Sequence, residues 1–198
     1  MVIRARRLGI FGGTFDPIHL GHVGVATAVR DALGLDRMLV VVANHPWQKQ
    51  DQSVTPAEDR YAMVAAALAD RPGIEASRIE LDRGGPSYTV DTVRQLSLYE
   101  PDAEFFMVVG ADVVGTLDTW YQYEDLRDLV TVVEVDRPGA AHLDPPSGWR
   151  VVRVAVEPVD VSSTDLRSVL EAGGTVVGFV PDAVIRCIAD RGLYATGR

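Results

Sequence analysis

The stretch Gly12-Gly13-Thr14-Phe15-Asp16-Pro17-Ile18-His19-Leu20-Gly21-His22 decides how this chain is read. Before it runs a short apolar segment, Leu8-Gly9-Ile10-Phe11, with the character of a buried strand. After it, Val23-Gly24-Val25-Ala26-Thr27-Ala28-Val29 reads as the start of a helix. Two glycines and a proline thus stand where the backbone must turn sharply from strand to helix, and two histidines flank the turn. A helix N-terminus after a glycine-rich turn attracts anions, because its first N–H groups lack partners and the helix dipole adds positive potential. Gly12, Gly13, Thr14 and Phe15 are therefore candidates for phosphate binding, and His19 and His22 for phosphate chemistry. Strand–glycine–helix junctions are common, and a single histidine beside one is usually surface decoration. A His-x-Gly-His pair next to Gly-Gly-Thr-Phe-Asp-Pro is far more specific. A protein-held zinc is not indicated, since no second Cys or His cluster joins His19, His22 and Asp16 to complete a closed tetrahedral site.

The composition bounds the function. A length of 198 residues with 47% apolar content suits one folded domain with a full core, and residues 1–198 are read as that single domain. Nineteen basic residues against 28 acidic ones give a formal charge of −9. That balance argues against a nucleic-acid or anionic-membrane surface, while a few converging basic groups would still suffice for a nucleotide. Cys187 stands alone, so no intrachain disulfide is expected. The apolar run after Arg4, Arg6 and Arg7 breaks at Gly12-Gly13, which reads as a strand and not a signal peptide. No window reaches the length of a membrane span, and a cytoplasmic location is the expectation.

Strand-like and helix-like segments alternate along the chain. Met38 to Val42, Ile74 to Leu81, Phe105 to Val109, Leu129 to Val135 and Val151 to Val156 read as strands. Thr55-Pro56-Ala57-Glu58 places a capping threonine, a proline at the first helical position and a glutamate at the third, so a helix is expected from there to about Leu68. Another is expected from Asp91 to Tyr99. The segment Arg137 to Trp149, rich in proline and glycine, reads as a surface loop. The alternation predicts an α/β fold, a mainly parallel sheet with helices on both faces.

A second chemical element, Val161-Ser162-Ser163-Thr164-Asp165-Leu166-Arg167, follows the last strand and opens a helix that Gly173-Gly174 should end. Ser162, Ser163 and Thr164 can offer hydroxyls and free N–H groups to phosphate oxygens, and Arg167 lies about one turn further on. The same residues would also make an ordinary capped helix start. Both glycine- or hydroxyl-bearing turns follow strand C-terminal ends, which share a crevice in an open α/β sheet.

Gly-Thr-Phe-Asp-Pro-x-His-x-Gly-His resembles the signature of the nucleotidyltransferases with a His-x-Gly-His motif, and Ser-Ser-Thr-x-x-Arg is similar to their second signature. That resemblance implies a Rossmann-like fold and transfer of a nucleotidyl group to a phosphate-bearing acceptor. No Gly-x-Gly-x-x-Gly follows the first strand, so a redox dinucleotide is not suggested. From about Leu8 to Tyr194 the chain resembles, more narrowly, the bacterial nicotinate-nucleotide adenylyltransferases. The resemblance rests on Asn44-His45-Pro46-Trp47-Gln48-Lys49, Arg83 to Thr92, Gly110-Ala111-Asp112 with Trp120-Tyr121, Arg137-Pro138-Gly139, and the tail from Val180-Pro181 to Leu193-Tyr194. It implies that Lys49 reaches the triphosphate, Gly110 and Asp112 sit by the nucleotide, and Arg137 lies by the acceptor phosphate. It also implies that Asn44 lines the acceptor side, Trp120 stacks on the nicotinate ring, and backbone amides of Thr89 and Tyr121 meet its carboxylate. Taken alone, Lys49 would be a solvated loop cation and Trp120 a core residue. The chain departs from the family in carrying Val42 where proline is usual, and Trp47-Gln48 where many have Pro-His.

The expected reaction is direct in-line attack by nicotinate mononucleotide on the α-phosphorus of ATP, with Mg2+ bound mainly by ATP and no protein nucleophile. His19, His22, Lys49 and Arg167 would be its catalytic residues. The alternatives are another nucleotidyltransferase of the superfamily, with a different acceptor or triphosphate, and an inactive nucleotide-binding regulator. Oligomeric state is left open, a homo-oligomer included.

Overall fold

The strand that enters the glycine turn, β1 (Arg7–Gly13), lies in the middle of a six-stranded sheet in the computed structural model, which describes residues 5–46, 54–135, 143–157 and 159–195. The other strands are β2 (Arg37–Val42), β3 (Ile74–Ser77), β4 (Glu104–Gly110), β5 (Val130–Val135) and β6 (Val151–Val154). Their order is β3-β2-β1-β4-β5-β6, and every pairing is parallel. The expectation of a mainly parallel sheet is thus met by a wholly parallel one.

Parallel strands covered on both faces read as continuous apolar runs. Met38 to Val42 is such a run, and each of its residues is buried. Alternate residues go to opposite faces. Phe11, Val40, Val42, Phe106, Val108 and Val133 join one core with α1 (Leu20–Leu33), α2 (Ala57–Leu68) and α8 (Asp182–Arg191). Leu8, Ile10, Leu39, Val41, Phe105, Met107 and Val109 join the other with α4 (Thr89–Tyr99), α5 (Ala111–Val114) and α6 (Tyr123–Leu129). A short α3 (Ile79–Arg83) precedes α4, and α7 (Ser163–Glu171) follows β6. Helices therefore cover both faces. Among the described residues no helix is long and apolar enough to cross a membrane.

Three local readings need correction. The strand expected from Ile74 to Leu81 stops at Ser77, and Ile79–Arg83 is helical. There Glu80 turns inward to accept a 2.6 Å hydrogen bond from Thr92 Oγ1 on α4, a tertiary contact that the apolar spacing does not reveal. The start of α2 is shifted by one residue: Pro56 is the cap (ψ 141°), not the first helical position. Thr55 does not cap the helix with its side chain; its backbone N–H is bonded to Asp16 instead. Finally, Trp149 is not a loop surface residue. It is buried, and its Nε1–H donates to Asp118 Oδ1 at 2.9 Å.

The chain leaves β1 toward β2 on one side, and β4 adds on the other. The C-terminal ends of β1 and β4, at Gly13 and Gly110, thus flank the point where strand order reverses, which is where open α/β sheets form their crevice.

Candidate active site

The turn after β1 is built by its own side chains. His19 caps α1 in an extended conformation (φ −139°, ψ 173°). Its backbone N–H donates to His22 Nδ1 at 3.3 Å, and its side chain accepts from the backbone N–H of His22. The two histidines thus make the reciprocal capping arrangement that Ser and Glu make elsewhere. One consequence is chemical. With Nδ1 accepting, a neutral His22 carries its proton on Nε2, where it can donate to a ligand. The two imidazoles lie 3.7 Å apart, centre to centre, at 30°.

Phe15 explains how the pair is held. It sits at φ +51°, a strained position for a bulky residue, and is buried. Its ring meets Phe11 and His22 edge-on, at 5.5 and 5.1 Å between centres. A Cβ at position 13 would lie 2.7 Å from Phe15 Cζ, so glycine is needed there for the ring to fit. The N–H of Leu20, at the first turn of α1, donates to Phe179 O at 2.8 Å.

The second turn meets the first directly. Ser162 caps α7, its Oγ accepting from Asp165 N–H at 3.1 Å. Ser163 Oγ donates to Pro17 O at 3.0 Å. Arg167 donates through Nη1 to Asp16 O at 2.7 Å and through Nη2 to Thr164 Oγ1 at 3.3 Å. Between the two turns opens a cleft of about 480 Å³. Gly13, Thr14, Phe15, His19, His22, Gly110, Ser162, Ser163 and Thr164 all line it. Gly12 and Asp112 do not; both are exposed, on β1 and α5. A larger hollow of about 690 Å³ beside β3 is lined by Tyr61, Pro72, Ile74 and their neighbours, and by none of the motif residues.

The residues expected on the acceptor side lie next to β2 and α4. Asn44 N–H donates to Ser87 Oγ at 2.8 Å and its side-chain amide to Gly85 O at 3.1 Å. This ties the end of β2 to the segment that enters α4. Thr89 is the first residue of α4, where backbone N–H groups lack helical partners. Tyr121 is 49% exposed, and its ring stacks on Tyr88 at 4.4 Å. Trp120 is partly buried against the core on that face, yet its buried Nε1–H has no partner among the described residues. Lys49 and Arg137 lie outside the described residues.

A buried polar group behind the turn escapes a reading by motif. Arg60 is 1% exposed and donates to three backbone carbonyls: Thr55 O at 2.7 Å, Thr14 O at 2.8 Å and Asn44 O at 3.1 Å. Asp16, also buried, accepts from Thr55 N–H at 3.1 Å and from the Tyr194 hydroxyl at 2.6 Å. Burial lowers the Arg60 pKa, opposed by the Asp16 charge. Burial, then the Asp16 hydrogen bond, pushes the Tyr194 hydroxyl well above the ordinary tyrosine range. One signal for Arg60 was present in the sequence. Arg60, Met63, Val64, Ala67 and Leu68 follow the spacing of a buried helix stripe, which puts an arginine on the inner face of α2.

The chain is similar to known proteins over nearly its whole length. The Cytidylyltransferase-like family matches residues 10–169. A protein of Corynebacterium kroppenstedtii named "Probable nicotinate-nucleotide adenylyltransferase" is 45% identical over 191 residues, covering 95% of this chain and 90% of its own length. One of the same name from Streptomyces coelicolor is 44% identical over 186 residues, covering 92% and 98%. Among solved structures, Plasmodium falciparum nicotinic acid mononucleotide adenylyltransferase complexed with NaAD aligns with a TM-score of 0.79 and 18% identity over 96% of this chain and 97% of that one, a likeness of fold.

Proposed function

The chain belongs to the nicotinate-nucleotide adenylyltransferase family, and from that membership and the cleft at the β1–β4 switch point we infer that it transfers AMP from ATP to nicotinate mononucleotide, as one nucleotidyltransferase domain. The observation that carries the reading is the direct joining of the two phosphate-binding turns, through Ser163 to Pro17 O and Arg167 to Asp16 O. Two helix starts aimed into one cleft suit a polyphosphate better than a single phosphate.

In this reading a phosphate oxygen of nicotinate mononucleotide bonds to the α-phosphorus of ATP. The bond from that phosphorus to the bridging oxygen breaks, and pyrophosphate leaves with the electron pair. The acceptor phosphate is already ionised at neutral pH, so Ser162 and Ser163 need not act as nucleophiles. Catalysis comes from positioning and from stabilising charge on phosphoryl oxygens. His22 donates from Nε2 and His19 supports it. Lys49 and the remaining donors of Arg167 neutralise the departing pyrophosphate. Gly13 to Phe15, Gly110 and Ser162 to Thr164 hold the nucleotide. Among the described residues no group of three or more His, Cys, Asp or Glu is placed to cage a metal ion. An ion such as Mg2+ would take most of its ligands from ATP and water, and would supply charge neutralisation on the phosphates.

On the acceptor side, Trp120 offers a ring face and Arg137 a cation for the phosphate. Asn44 braces the segment that enters α4 through Ser87 and Gly85, and the N–H groups of Thr89 and Tyr121 suit a carboxylate. A carboxylate accepts from both, whereas a carboxamide opposes one donor with its own NH₂. The reaction is assigned to the cytoplasm, with ATP and nicotinate mononucleotide as partners and no nucleic acid or membrane. The test is kcat/KM with ATP for nicotinate mononucleotide, nicotinamide mononucleotide and phosphopantetheine. The acid should exceed its amide by about tenfold to a hundredfold or more, the cost of one mispaired buried donor. Equal efficiencies, or turnover of phosphopantetheine alone, would overturn the assignment.

A further inference from the structure

Among the described residues Arg60 is the largest side chain buried below 2% exposure; it does not line the cleft between the two turns, but sits at the wall of a separate hollow of about 700 Å³ with Asn44 and Thr55. Its three carbonyl partners belong to three separate segments. Thr14 is in the histidine turn, Asn44 lies two residues past the end of β2 on the acceptor side, and Thr55 precedes α2. None of these carbonyls lies inside a strand or helix. A planar guanidinium presents its donors in a fixed fork, so holding three carbonyls fixes their relative placement and not only their hydrogen-bond count. The counter-charge is local as well: Asp16 fastens Thr55 N–H with one oxygen and Tyr194 with the other.

We propose that Arg60, backed by Asp16 and Tyr194, is a positioning residue for adenylyl transfer: it sets the distance between the segment that holds the triphosphate and the segment that holds the acceptor. The proposal rests on the function assigned above. It gives the buried cation a role distinct from stability. Thr14 moves with the phosphate turn and Asn44 with the acceptor wall, so loosening the clamp displaces the two reacting phosphates relative to one another. In-line transfer is sensitive to such a displacement, since a shift of about 1 Å can cost about 100-fold in rate. Each substrate alone still finds its own half of the site. The loss should therefore fall on kcat more than on either KM.

The experiment compares wild type, Arg60→Lys, Tyr194→Phe and Arg191→Gln, each with its melting curve and with KM and kcat for ATP and nicotinate mononucleotide. Arg191 pairs with Asp59 at the surface of α2, and its variant reports loosening of that helix without touching the clamp. Lysine keeps the charge but cannot span three carbonyls in one plane. Arg60→Lys is expected to lose about 10- to 100-fold in kcat with each KM within about threefold. Tyr194→Phe should show a smaller loss of kcat in the same pattern, and Arg191→Gln none. A folded Arg60→Lys protein with kcat within twofold of wild type overturns the proposal, as does a loss confined to KM. Should Arg60→Lys not fold, Tyr194→Phe decides, and an unchanged kcat there overturns it. An inactive wild type would instead refute the assigned function, so the two failures are distinguishable.

Discussion

Arg167 Nη1 lies 2.7 Å from the carbonyl oxygen of Asp16, 151 positions earlier in the chain. This bond joins the two motifs, and it uses only part of the guanidinium. Replacing Arg167 by lysine keeps the charge but removes the fork that can hold Asp16 O and a phosphate together. Steady-state kinetics with varied ATP should show kcat/KM lower by about tenfold to a hundredfold, the worth of a charge-assisted hydrogen bond. Wild-type constants would mean that Arg167 serves the scaffold alone.

His22 has two duties that one variant separates. His22→Ala should reduce kcat by roughly two to four orders of magnitude, as removal of a preorganised donor or acid does. It also removes the partner of the His19 N–H, which should cost about 1 kcal/mol, or about 2–4 °C in melting temperature for a chain of this size. A loss of rate below tenfold with an unchanged melting curve would exclude both duties.

Trp120→Ala should weaken nicotinate mononucleotide while leaving ATP nearly unaffected. The lost stacking is about 1 kcal/mol or more, roughly fivefold or more in affinity. Calorimetric titration with each substrate separately measures it. Equal effects on both would make Trp120 a packing residue only.

Tyr194 sets an alkaline limit. An unfolded tyrosine titrates near about 10, whereas burial and Asp16 raise the folded value above that. Above this pH the folded state holds a proton that the unfolded state releases, so stability falls as pH rises. Below it the contribution is complete. Urea midpoints at about pH 8 and about pH 11 should therefore differ more for wild type than for Tyr194→Phe. Equal differences would show that Tyr194 does not carry this sensitivity.

The features that announce themselves in the sequence are those made locally. A glycine turn between an apolar run and a helix, and a hydroxyl cluster before another helix, both fix positions by backbone geometry. The strands were legible because burial on both faces leaves an uninterrupted apolar run, as in Met38 to Val42. What was not legible depends on distant partners. Ile79 to Leu81 reads as the end of a strand but belongs to the helix Ile79–Arg83, with Glu80 held by Thr92. Arg60 takes its meaning from three carbonyls that only the folded chain brings together. The capping role of the histidines lay between these cases: the spacing shows the pair, and the conformation of His19 shows what it does.

The bond from Tyr194 to Asp16 spans 178 positions, and it bears on how the protein is made. Translation at about 5–20 residues per second separates the emergence of those two residues by about 10–40 s. For that interval the nascent chain carries both histidines of the cleft without the tyrosine that fastens Asp16 or the Phe179 carbonyl that takes the Leu20 N–H. The finished arrangement therefore appears late, only after the segment from Phe179 to Tyr194 has emerged.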